Sequence, residues 1–393
     1  MDVDAIVAEV ASAVGLSEGP AGVRDVLRVI ARREPVPARE IGRLAELPVP
    51  IVAAVCGELR ARGVVDRARP VQLTGAARAA LAAGLAGVSG ECPACGGAGV
   101  TVPAALAPVA RRLEQAAAAM PAARLELDQT HCTVDTKLRR VLRMADAGAL
   151  AGQRVIVLGD DDLLSAAIAA SAAAGASGRP ARLAVVDCDA GLLGYLAGLL
   201  PELGLAADLI EHDLREPLPA GLAGAFDVAC TDPPYTVAGA ELFLSRAVAA
   251  LAPGGGRHVF FSFGARRPEE TLRTQQLITE MGLTIRALLP GFNAYVGAGI
   301  LAGASHLYHL RTTAASRPVI SGGFTGPLYT ADSRAARTRP YRCAGCAAVH
   351  DVGPGARWAH IAALKAAGCP ECGGTVFRPG ALGAGRGTPA GRR

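Results

Sequence analysis

The amino-acid sequence predicts an α/β protein whose centre is a mostly parallel sheet with helices on both faces. Between residues 86 and 330, short apolar segments alternate with Ala-rich helical stretches, a pattern typical of parallel strands joined by crossover helices. The strand-like segments are RVIVLG, RLAVVD, ADLIEHD, FDVACTD and RHVFFSF. Ligands of such sheets bind beyond the carboxyl ends of the strands, so the residues that follow each strand are the candidates for function.

Length and composition bound the rest of the chain. Its 393 residues are 51% hydrophobic, which is enough for a full-sized core and two or three domains. There is no run of about 18 uninterrupted apolar residues, and the first segment, MDVDAIVAEV, carries acids instead of the basic region of a secretion signal. We therefore expect a cytoplasmic protein with no membrane partner.

Residues 1–85 predict a winged-helix-like domain. VDAIVAEVASAV and VRDVLRVIARR carry apolar residues at helical spacing, and a turn, a further helix and a hairpin follow. Over residues 1–90, however, 11 Arg stand against 10 acids, and the predicted recognition helix, Pro50 to Gly63, offers only Arg60 and Arg62 beside Glu58. Because phosphate neutralisation needs more positive charge, packing or formation of a homodimer is favoured over DNA contact.

Three consecutive acids, Asp160, Asp161 and Asp162, follow the first predicted strand and Gly159. A dinucleotide-binding fold would carry a glycine-rich turn here, because its backbone approaches the pyrophosphate closely. Three carboxylates repel a pyrophosphate and attract a cation. Capping of the next helix, which Asp does well, accounts for one or two of these residues but not for all three.

Acids also follow the next two strands. Asp187 ends the second strand, about where doubly wound folds place an acid on ribose hydroxyls. Asp213 follows the third strand, where its carboxylate can accept a hydrogen bond from an adenine amino group. Three acidic strand ends in series predict a sheet that binds a nucleoside.

The fourth strand is followed by Asp232-Pro233-Pro234-Tyr235. The prolines fix the backbone and remove two N–H donors, so we expect carbonyl oxygens and the Asp232 carboxylate to face the crevice. An acceptor-rich surface of this kind suits an amine that must lose a proton, and the Tyr235 ring can stack on a cation or a base. The alternative is a plain Pro-Pro turn with the tyrosine in the core.

Together these motifs resemble the branched-chain polyamine synthases. The resemblance covers roughly residues 86–310 and is carried by GDDDLLSAAIA, VVDCDAGLL, EHDLREPLP and TDPPYTVAGAELFLSRAVAAL, preceded by LELDQTHCTVDTKLRRVLRMADAGALAGQRV. It implies a Rossmann-like fold. It also implies transfer of an aminopropyl group from decarboxylated S-adenosylmethionine to an amine, with release of methylthioadenosine.

The resemblance implies roles for individual positions. Asp232 would bind and deprotonate the acceptor amine, with Tyr235 as a second catalytic residue. The donor and its nucleoside would contact Gly159, Asp160, Asp161, Asp162, Asp187, Asp213 and Pro233, and the acceptor would contact Asp128, Phe292, Asn293 and Tyr295. The chemistry is consistent, because an alkylamine is mostly protonated near neutral pH and a buried carboxylate can take its proton before attack.

One segment departs from the family pattern. Where the family carries acidic and aromatic residues, this chain reads GFNAYVGAGILAGASHLYHL from Gly291 to Leu310, and residues 281–331 contain no Asp or Glu. Each charge of a linear polyamine needs a nearby acceptor to offset desolvation. Arg286 and Arg311 add positive charge instead. We therefore expect an acceptor that is shorter, less charged, or provided with a carboxylate for an arginine to bind.

Residues 331–378 predict a zinc ribbon. Cys343-Ala-Gly-Cys346 and Cys369-Pro-Glu-Cys372 have the spacing of a structural zinc site with four thiolates. Residues 333–393 carry ten Lys and Arg against two acids, so nucleic acid is a possible partner, although a metal-stapled appendage is favoured. Residues 379–393, rich in Gly, Pro and Arg, are predicted to be a disordered tail.

Two other interpretations stay open. The donor can be intact S-adenosylmethionine, delivering a methyl or a 3-amino-3-carboxypropyl group to a less charged acceptor. In a different class, the protein is a nucleic-acid-associated regulator that binds through the winged helix and the ribbon while the sheet senses a nucleoside. The Asp-Pro-Pro-Tyr segment after a strand argues against the regulator, since a sensor does not need an amine-activating floor.

Overall fold

A computed structural model of the chain describes residues 2–85, 92, 94–95, 97–296, 303–330, 339–353, 356–358 and 361–379. The chain divides into two compact units, Met1–Gly326 and Pro327–Arg393. The predicted winged-helix and transferase regions therefore lie in one unit, although each has its own apolar core. The predicted tail beyond residue 379 and residues 297–302 of the acid-free segment lie outside the described residues.

The first unit begins with five helices and a small β element. The helices are α1 (Val3–Val14), α2 (Gly19–Arg33), α3 (Ala38–Leu44), α4 (Val49–Ala61) and α5 (Gly75–Leu85). Isolated antiparallel bridges join Val36 to Val71 and Val65 to Leu73. Asp2 caps α1 by accepting a hydrogen bond from the Ala5 N–H at 3.1 Å. This order agrees with the predicted helices, turn, helix and hairpin, and the winged-helix interpretation stays a prediction.

A seven-stranded sheet follows, as predicted mostly parallel. Its strands are β1 (Arg154–Leu158), β2 (Arg182–Asp187), β3 (Asp208–Glu211), β4 (Val228–Thr231), β5 (His258–Phe263), β6 (Leu283–Ala294) and β7 (Ala304–Thr312), in the spatial order β3-β2-β1-β4-β5-β7-β6. Strands β1 to β5 are parallel, and β7 is antiparallel to both β5 and β6. Each of the five predicted strand segments contains one of the parallel strands, whereas the β6–β7 hairpin was not predicted.

Two helices of this region precede β1, and four follow strands of the sheet. They are α6 (Ala107–Ala119), α7 (Val134–Asp146), α8 (Leu164–Ala173), α9 (Ala190–Glu202), α10 (Val237–Ala250) and α11 (Pro268–Glu280). Because the strand order reverses between β1 and β4, right-handed connections place α8 and α9 on one face and α10 and α11 on the other. Among the described residues, no helix combines the length and the apolar character needed to cross a bilayer.

The second unit is a small three-stranded antiparallel sheet. Strands β8 (Arg339–Cys343), β9 (Val349–Val352) and β10 (Phe377–Pro379) lie in the order β10-β8-β9, and helix α12 (Ile361–Ala367) precedes β10. Its described core contains few apolar side chains, among them Val352, Leu364 and Phe377. A core of this size rarely stabilises a fold without a staple such as a metal ion.

Candidate active site

The predicted site residues of the first and fourth strands meet at the topological switch point of the sheet. Strand β1 pairs with β2 on one side and with β4 on the other, so the carboxyl ends of β1 and β4 open into one crevice. Gly159 leaves β1 with a φ of 77°, which glycine adopts without strain, and its N–H donates to the Val186 carbonyl at 2.9 Å. Asp232 leaves β4 directly opposite.

Asp232 is held by three side chains. Its Oδ2 accepts hydrogen bonds from the Tyr295 hydroxyl at 2.5 Å and from Arg140 Nη2 at 2.8 Å. The Tyr235 hydroxyl donates to Oδ1 at 3.0 Å and lies 2.7 Å from the Tyr295 hydroxyl. The side chain of Asp232 is only 11% exposed, so this carboxylate sits in a nearly dry, polar pocket.

Arg140 of α7 is the centre of this network, and it was not among the predicted site residues. Its Nη1 donates to Asp162 Oδ2 at 2.7 Å and its Nη2 to Asp232 Oδ2, so one guanidinium bridges the two strand ends. Its Nε donates to Asn293 Oδ1 at 2.8 Å. The available signal was the spacing of Lys137 and Arg140, which lie on the same helical face as Val141 and Met144 and are buried with them.

The two carboxylates that share Arg140 differ in pKa. Burial raises the pKa of Asp232 to about 7. The charge of Asp162 adds to this rise, and the nearby Arg140 offsets it only in part. Burial also acts on Asp162, but Arg140 and Lys137 outweigh it and lower its pKa to about 2. Asp162 is therefore a permanent counter-ion of Arg140, while Asp232 can exchange a proton near neutral pH.

The remaining two acids of the Asp160–Asp162 series have different surroundings. The Asp160 carboxylate accepts hydrogen bonds from the Leu164 N–H at 2.7 Å and from the N–H and hydroxyl of Ser165, so it caps the start of α8 and is fully buried. This differs from the expectation that all three acids line the donor's chain. Asp161 accepts one hydrogen bond, from the Thr130 N–H at 3.0 Å, and burial together with neighbouring acids raises its pKa well above the ordinary value.

The predicted nucleoside acids lie at the expected strand ends. Asp187 is buried and accepts hydrogen bonds from the N–H groups of Asp160 at 3.0 Å and Asp189 at 2.9 Å, which ties the ends of β1 and β2 together. Burial raises its pKa. Asp213 forms a half-exposed ion pair with Arg215 that engages both carboxylate oxygens, so a bound base must compete with this arginine.

The two prolines form the turn between β4 and α10 and contribute little to the surface of the crevice. Pro233 is buried, and the Pro234 carbonyl accepts a hydrogen bond from the Thr236 N–H at 2.7 Å. A Cβ on Gly239 would lie 2.2 Å from that carbonyl oxygen, so α10 can start here only with glycine at this position. The expectation that prolyl carbonyls face the ligand is therefore wrong for Pro234, whose oxygen is used inside the turn.

The residues predicted to contact the acceptor separate into three groups. Phe292 is fully buried under the Arg139 guanidinium, 5.0 Å from the ring centroid, so it is a core residue and not a pocket wall. Asn293 is also fully buried and orients Arg140. Tyr295 is the one that contacts Asp232 directly. Asp128, with a φ of 57°, belongs to the loop whose next residues donate N–H groups to Asp161 and Asp162.

The N-terminal helices reach the same end of the sheet. Arg39 of α3 donates to the Tyr295 carbonyl at 2.8 Å, and Glu46 lies 3.8 Å from His306 Nε2. His306 follows Ser305, whose hydroxyl is 2.8 Å from the Tyr295 hydroxyl. The N-terminal helices thus place the Glu46 carboxylate beside His306, in a segment that itself contains no acid.

Arg286 and Arg311 lie at the opposite edge of the sheet. Arg311 pairs with His258 at the start of β5, whereas Asn293 pairs with Ser305 at the end where Asp232 lies. On β7 the partners of these positions, Ser305 and His309 to Leu310, are only four or five residues apart, so at about 3.3 Å per residue Arg286 lies roughly 15 Å from Asn293. The expectation that one of these arginines binds a carboxylate of the acceptor in this crevice is therefore wrong.

The second unit brings four cysteines together. The sulfur atoms of Cys343, Cys346, Cys369 and Cys372 lie within 4.8 Å of one another, and all four thiols are free of disulfides. Among the described residues no second such group forms around Cys92 and Cys95. Tetrahedral zinc with bonds of about 2.3 Å needs sulfur atoms about 3.8 Å apart, close to the 3.5 and 3.6 Å found for two of the pairs.

Comparisons with known proteins agree with this geometry. Residues 108–313 match the model of the branched-chain polyamine synthase A C-terminal domain. An uncharacterised protein of Methanocaldococcus jannaschii is 32% identical over 94% of this chain and 91% of its own length. The N(4)-bis(aminopropyl)spermidine synthase of the same organism is 30% identical over 65% of this chain and 73% of its own length.

A solved structure is similar over most of the chain. The branched-chain polyamine synthase of Thermus thermophilus, in complex with N4-aminopropylspermidine and 5'-methylthioadenosine, aligns with a TM-score of 0.66 at 25% identity. The alignment covers 84% of this chain and 97% of that one. With the family match, the curated relative and the crevice of Asp162, Arg140 and Asp232, the chain belongs to the branched-chain polyamine synthase family.

Proposed function

We propose that this protein transfers an aminopropyl group from decarboxylated S-adenosylmethionine to an amine. The observation that carries the proposal is Asp232, a nearly buried carboxylate at the switch point whose pKa is raised to about 7 by burial and by Asp162. A base with this pKa can take a proton from an amine near neutral pH. The named relative and the Thermus complex with methylthioadenosine support the same reaction.

The proposed reaction is a nucleophilic displacement at the carbon next to the donor sulfur. The protonated acceptor amine gives a proton to Asp232, and its freed lone pair attacks the carbon next to the donor sulfonium. A carbon–nitrogen bond forms, the carbon–sulfur bond breaks with its electrons going to sulfur, and methylthioadenosine leaves. Tyr235 and Tyr295 hold both oxygens of Asp232, so they orient the base, and alignment of amine and sulfonium supplies much of the rate.

The donor is proposed to bind along the ends of β1, β2 and β3. In this proposal the cationic chain of the donor lies beside Asp161, and the nucleoside lies beside Asp187, Asp213, Gly159 and Pro233. The decarboxylated donor fits this crevice better than intact S-adenosylmethionine, because Arg140 is already paired with Asp162 and Asp232. A donor carboxylate would meet acids without a compensating cation.

The acceptor is proposed to carry fewer charges than the aminopropylspermidine bound by the Thermus protein. Its wall between residues 281 and 331 has no acid, and Glu46 from the N-terminal region is the carboxylate that lies beside it. The relatives support a separate branch of the family for this chain. M. jannaschii has a named synthase and also a second protein, and the match to the second protein covers 94% of this chain.

The proposed function is tested by incubating the purified protein with each donor and a series of amines of increasing charge. Mass spectrometry should show an addition of about 57 mass units with decarboxylated S-adenosylmethionine, whereas methyl or aminocarboxypropyl transfer would add about 14 or 101. We expect a diamine to be a better acceptor than a tetraamine. Additions of 14 or 101 alone would replace the proposed donor, and no addition with any donor would contradict the function.

The N-terminal helices are proposed to have a packing role. Arg39 and Glu46 contact the wall that carries Tyr295 and His306, and this placement supports packing over DNA contact. A winged-helix identity for these helices and a homodimer stay predictions. Nucleic acid binding by the second unit is not needed for the proposed reaction.

We also propose that Cys343, Cys346, Cys369 and Cys372 hold a structural zinc ion. Four thiolates close a tetrahedral site and leave no position for catalysis. The small core of the second unit explains why a metal would stabilise it.

Zinc removal is expected to unfold the second unit and leave the first unit folded. Native mass spectrometry should detect one zinc ion per chain, and Cys369→Ser should lose it, since three ligands bind zinc far more weakly than four. Cys188→Ser, a cysteine of the first unit, is the matched control and should retain the ion. Retention of zinc by Cys369→Ser at the wild-type level would refute the site.

A further inference from the structure

A basic cleft of about 590 Å³ lies at the edge of the sheet opposite Asp232. Its lining includes Arg143, Arg286, Arg311 and His309, together with Asp146 and Thr284. Three arginines thus face one carboxylate. In the residues that the structure describes, none of these three guanidinium groups has a carboxylate within 4.0 Å. The cleft therefore carries positive charge that the protein does not neutralise.

A hydrogen-bond chain runs from Arg311 to His309. Arg311 Nη1 lies 2.7 Å from His258 Nε2 and 3.2 Å from its Nδ1, and His258 Nδ1 lies 3.0 Å from His309 Nε2. The two imidazole planes are nearly parallel, 8° apart, with centroids 5.2 Å apart. A guanidinium can only donate, so we assign His258 Nε2, the nearer nitrogen, as its acceptor and place the ring proton on Nδ1. His258 then donates to His309 Nε2.

The chain ends in a donor without an acceptor. Because His309 Nε2 accepts, its proton is on Nδ1, and that atom is buried without a hydrogen-bond partner among the described residues. His309 is 3% exposed. Arg143 Nε is a second buried donor without a partner. A buried donor without an acceptor costs free energy. The cleft is therefore short of hydrogen-bond acceptors and of negative charge, which a bound anion would supply.

The hydrogen bonds from Arg311 through His258 to His309 require both imidazoles to be neutral. Burial, followed by the charges of His258, Arg143, Arg311 and Arg286, lowers the pKa of His309 to about 4. Burial and Arg311 lower that of His258 to about 4 as well. Both rings are therefore neutral at pH 7, and each has one donor and one acceptor nitrogen.

We propose that the basic cleft binds a phosphate group through Arg143, Arg286, Arg311 and the Nδ1–H of His309. A phosphate offers several charged oxygens to converging guanidinium groups. One of its oxygens can also accept a hydrogen bond from the unpaired Nδ1–H of His309. The volume of the cleft leaves room for the rest of a phosphorylated molecule. Arg286 and Arg311 lie roughly 15 Å from Asn293 along the strands, so phosphate binding at the cleft can be measured without the proposed transfer reaction.

The test follows the His309 imidazole by ¹⁵N–¹H NMR in the full-length protein. The free protein should show the Nδ1–H tautomer, and pyrophosphate should shift this signal saturably, whereas chloride at the same ionic strength should not. A second titration with a short RNA duplex distinguishes free phosphates from nucleic-acid phosphates. The phosphate source that fits the cleft should saturate the shift of the His309 signal at the lower concentration.

Arg286→Gln is expected to weaken pyrophosphate binding about tenfold by removing one charge-assisted partner. Arg111→Gln, an exposed arginine of α6 outside the cleft, is the matched control and should bind as the wild type does. An Nε2–H tautomer of His309, no saturable shift with either phosphate source, or equal affinity in Arg286→Gln and the wild type would each overturn the site.

Discussion

Replacing Asp232 with Asn is expected to lower kcat about 10³-fold while the affinity for methylthioadenosine stays near the wild-type value. The amide keeps the shape, its oxygen can accept hydrogen bonds from Arg140 and Tyr295, and its NH2 can donate to the Tyr235 hydroxyl, but it has no basic oxygen to accept the amine proton. Steady-state kinetics with decarboxylated S-adenosylmethionine and calorimetry with methylthioadenosine measure the two quantities separately. Asp208→Asn, an exposed acid on β3, is the control and should leave kcat unchanged.

The pH profile gives a second readout of the same residue. Because the pKa of Asp232 is raised to about 7 by burial, the carboxylate is protonated below this pH and cannot act as a base. The rate of the wild type should therefore rise as the pH passes through about 7 and then level off. A flat profile in the wild type, or full activity of Asp232→Asn, would remove Asp232 from the mechanism.

The parallel strands were predictable because each one is a compact apolar run that ends at an acid or glycine. Strand β1 has four consecutive buried residues, and β5 is buried along its whole length. Strand β6 shows neither a continuous apolar run nor a regular alternation. Ile285 and Leu288 are exposed, Pro290 interrupts it, and its pairing with β7 shifts register twice. Local sequence pattern therefore does not reveal it.

The site could be predicted as a location but not as a network. Strand ends placed Asp162 and Asp232 in one crevice because parallel strands share an edge. Which of three consecutive acids points into the crevice depends on side-chain direction, which changes at every residue, so Asp160 could not be recognised as the helix cap from spacing alone. Arg140 lies 92 positions from Asp232, and only the packing of α7 against the sheet brings them together.

Arg140→Gln is expected to be the most damaging single change to the crevice. Arg140 is 5% exposed and its guanidinium binds both Asp162 and Asp232, so its loss leaves buried Asp232 without its paired cation and Asp162 with Lys137 alone. Breaking a buried pair of this kind costs about 3–5 kcal/mol of unfolding free energy, which urea denaturation can measure. With the cation gone, the pKa of Asp232 rises above 7, and the rise of activity moves to higher pH.

Acid denaturation and a double variant separate this effect from a simple packing defect. The folded-state pKa of Asp162, about 2, lies below its ordinary value of 3.8, so its ion pair stabilises the fold above pH 3.8 and is lost as the pH falls through 2. Arg140→Gln should weaken this dependence and leave the smaller part that Lys137 contributes. Adding Asp162→Asn removes the uncompensated charge and should recover part of the stability without restoring activity. If the double variant is no more stable than Arg140→Gln, the guanidinium acts through packing and not through charge.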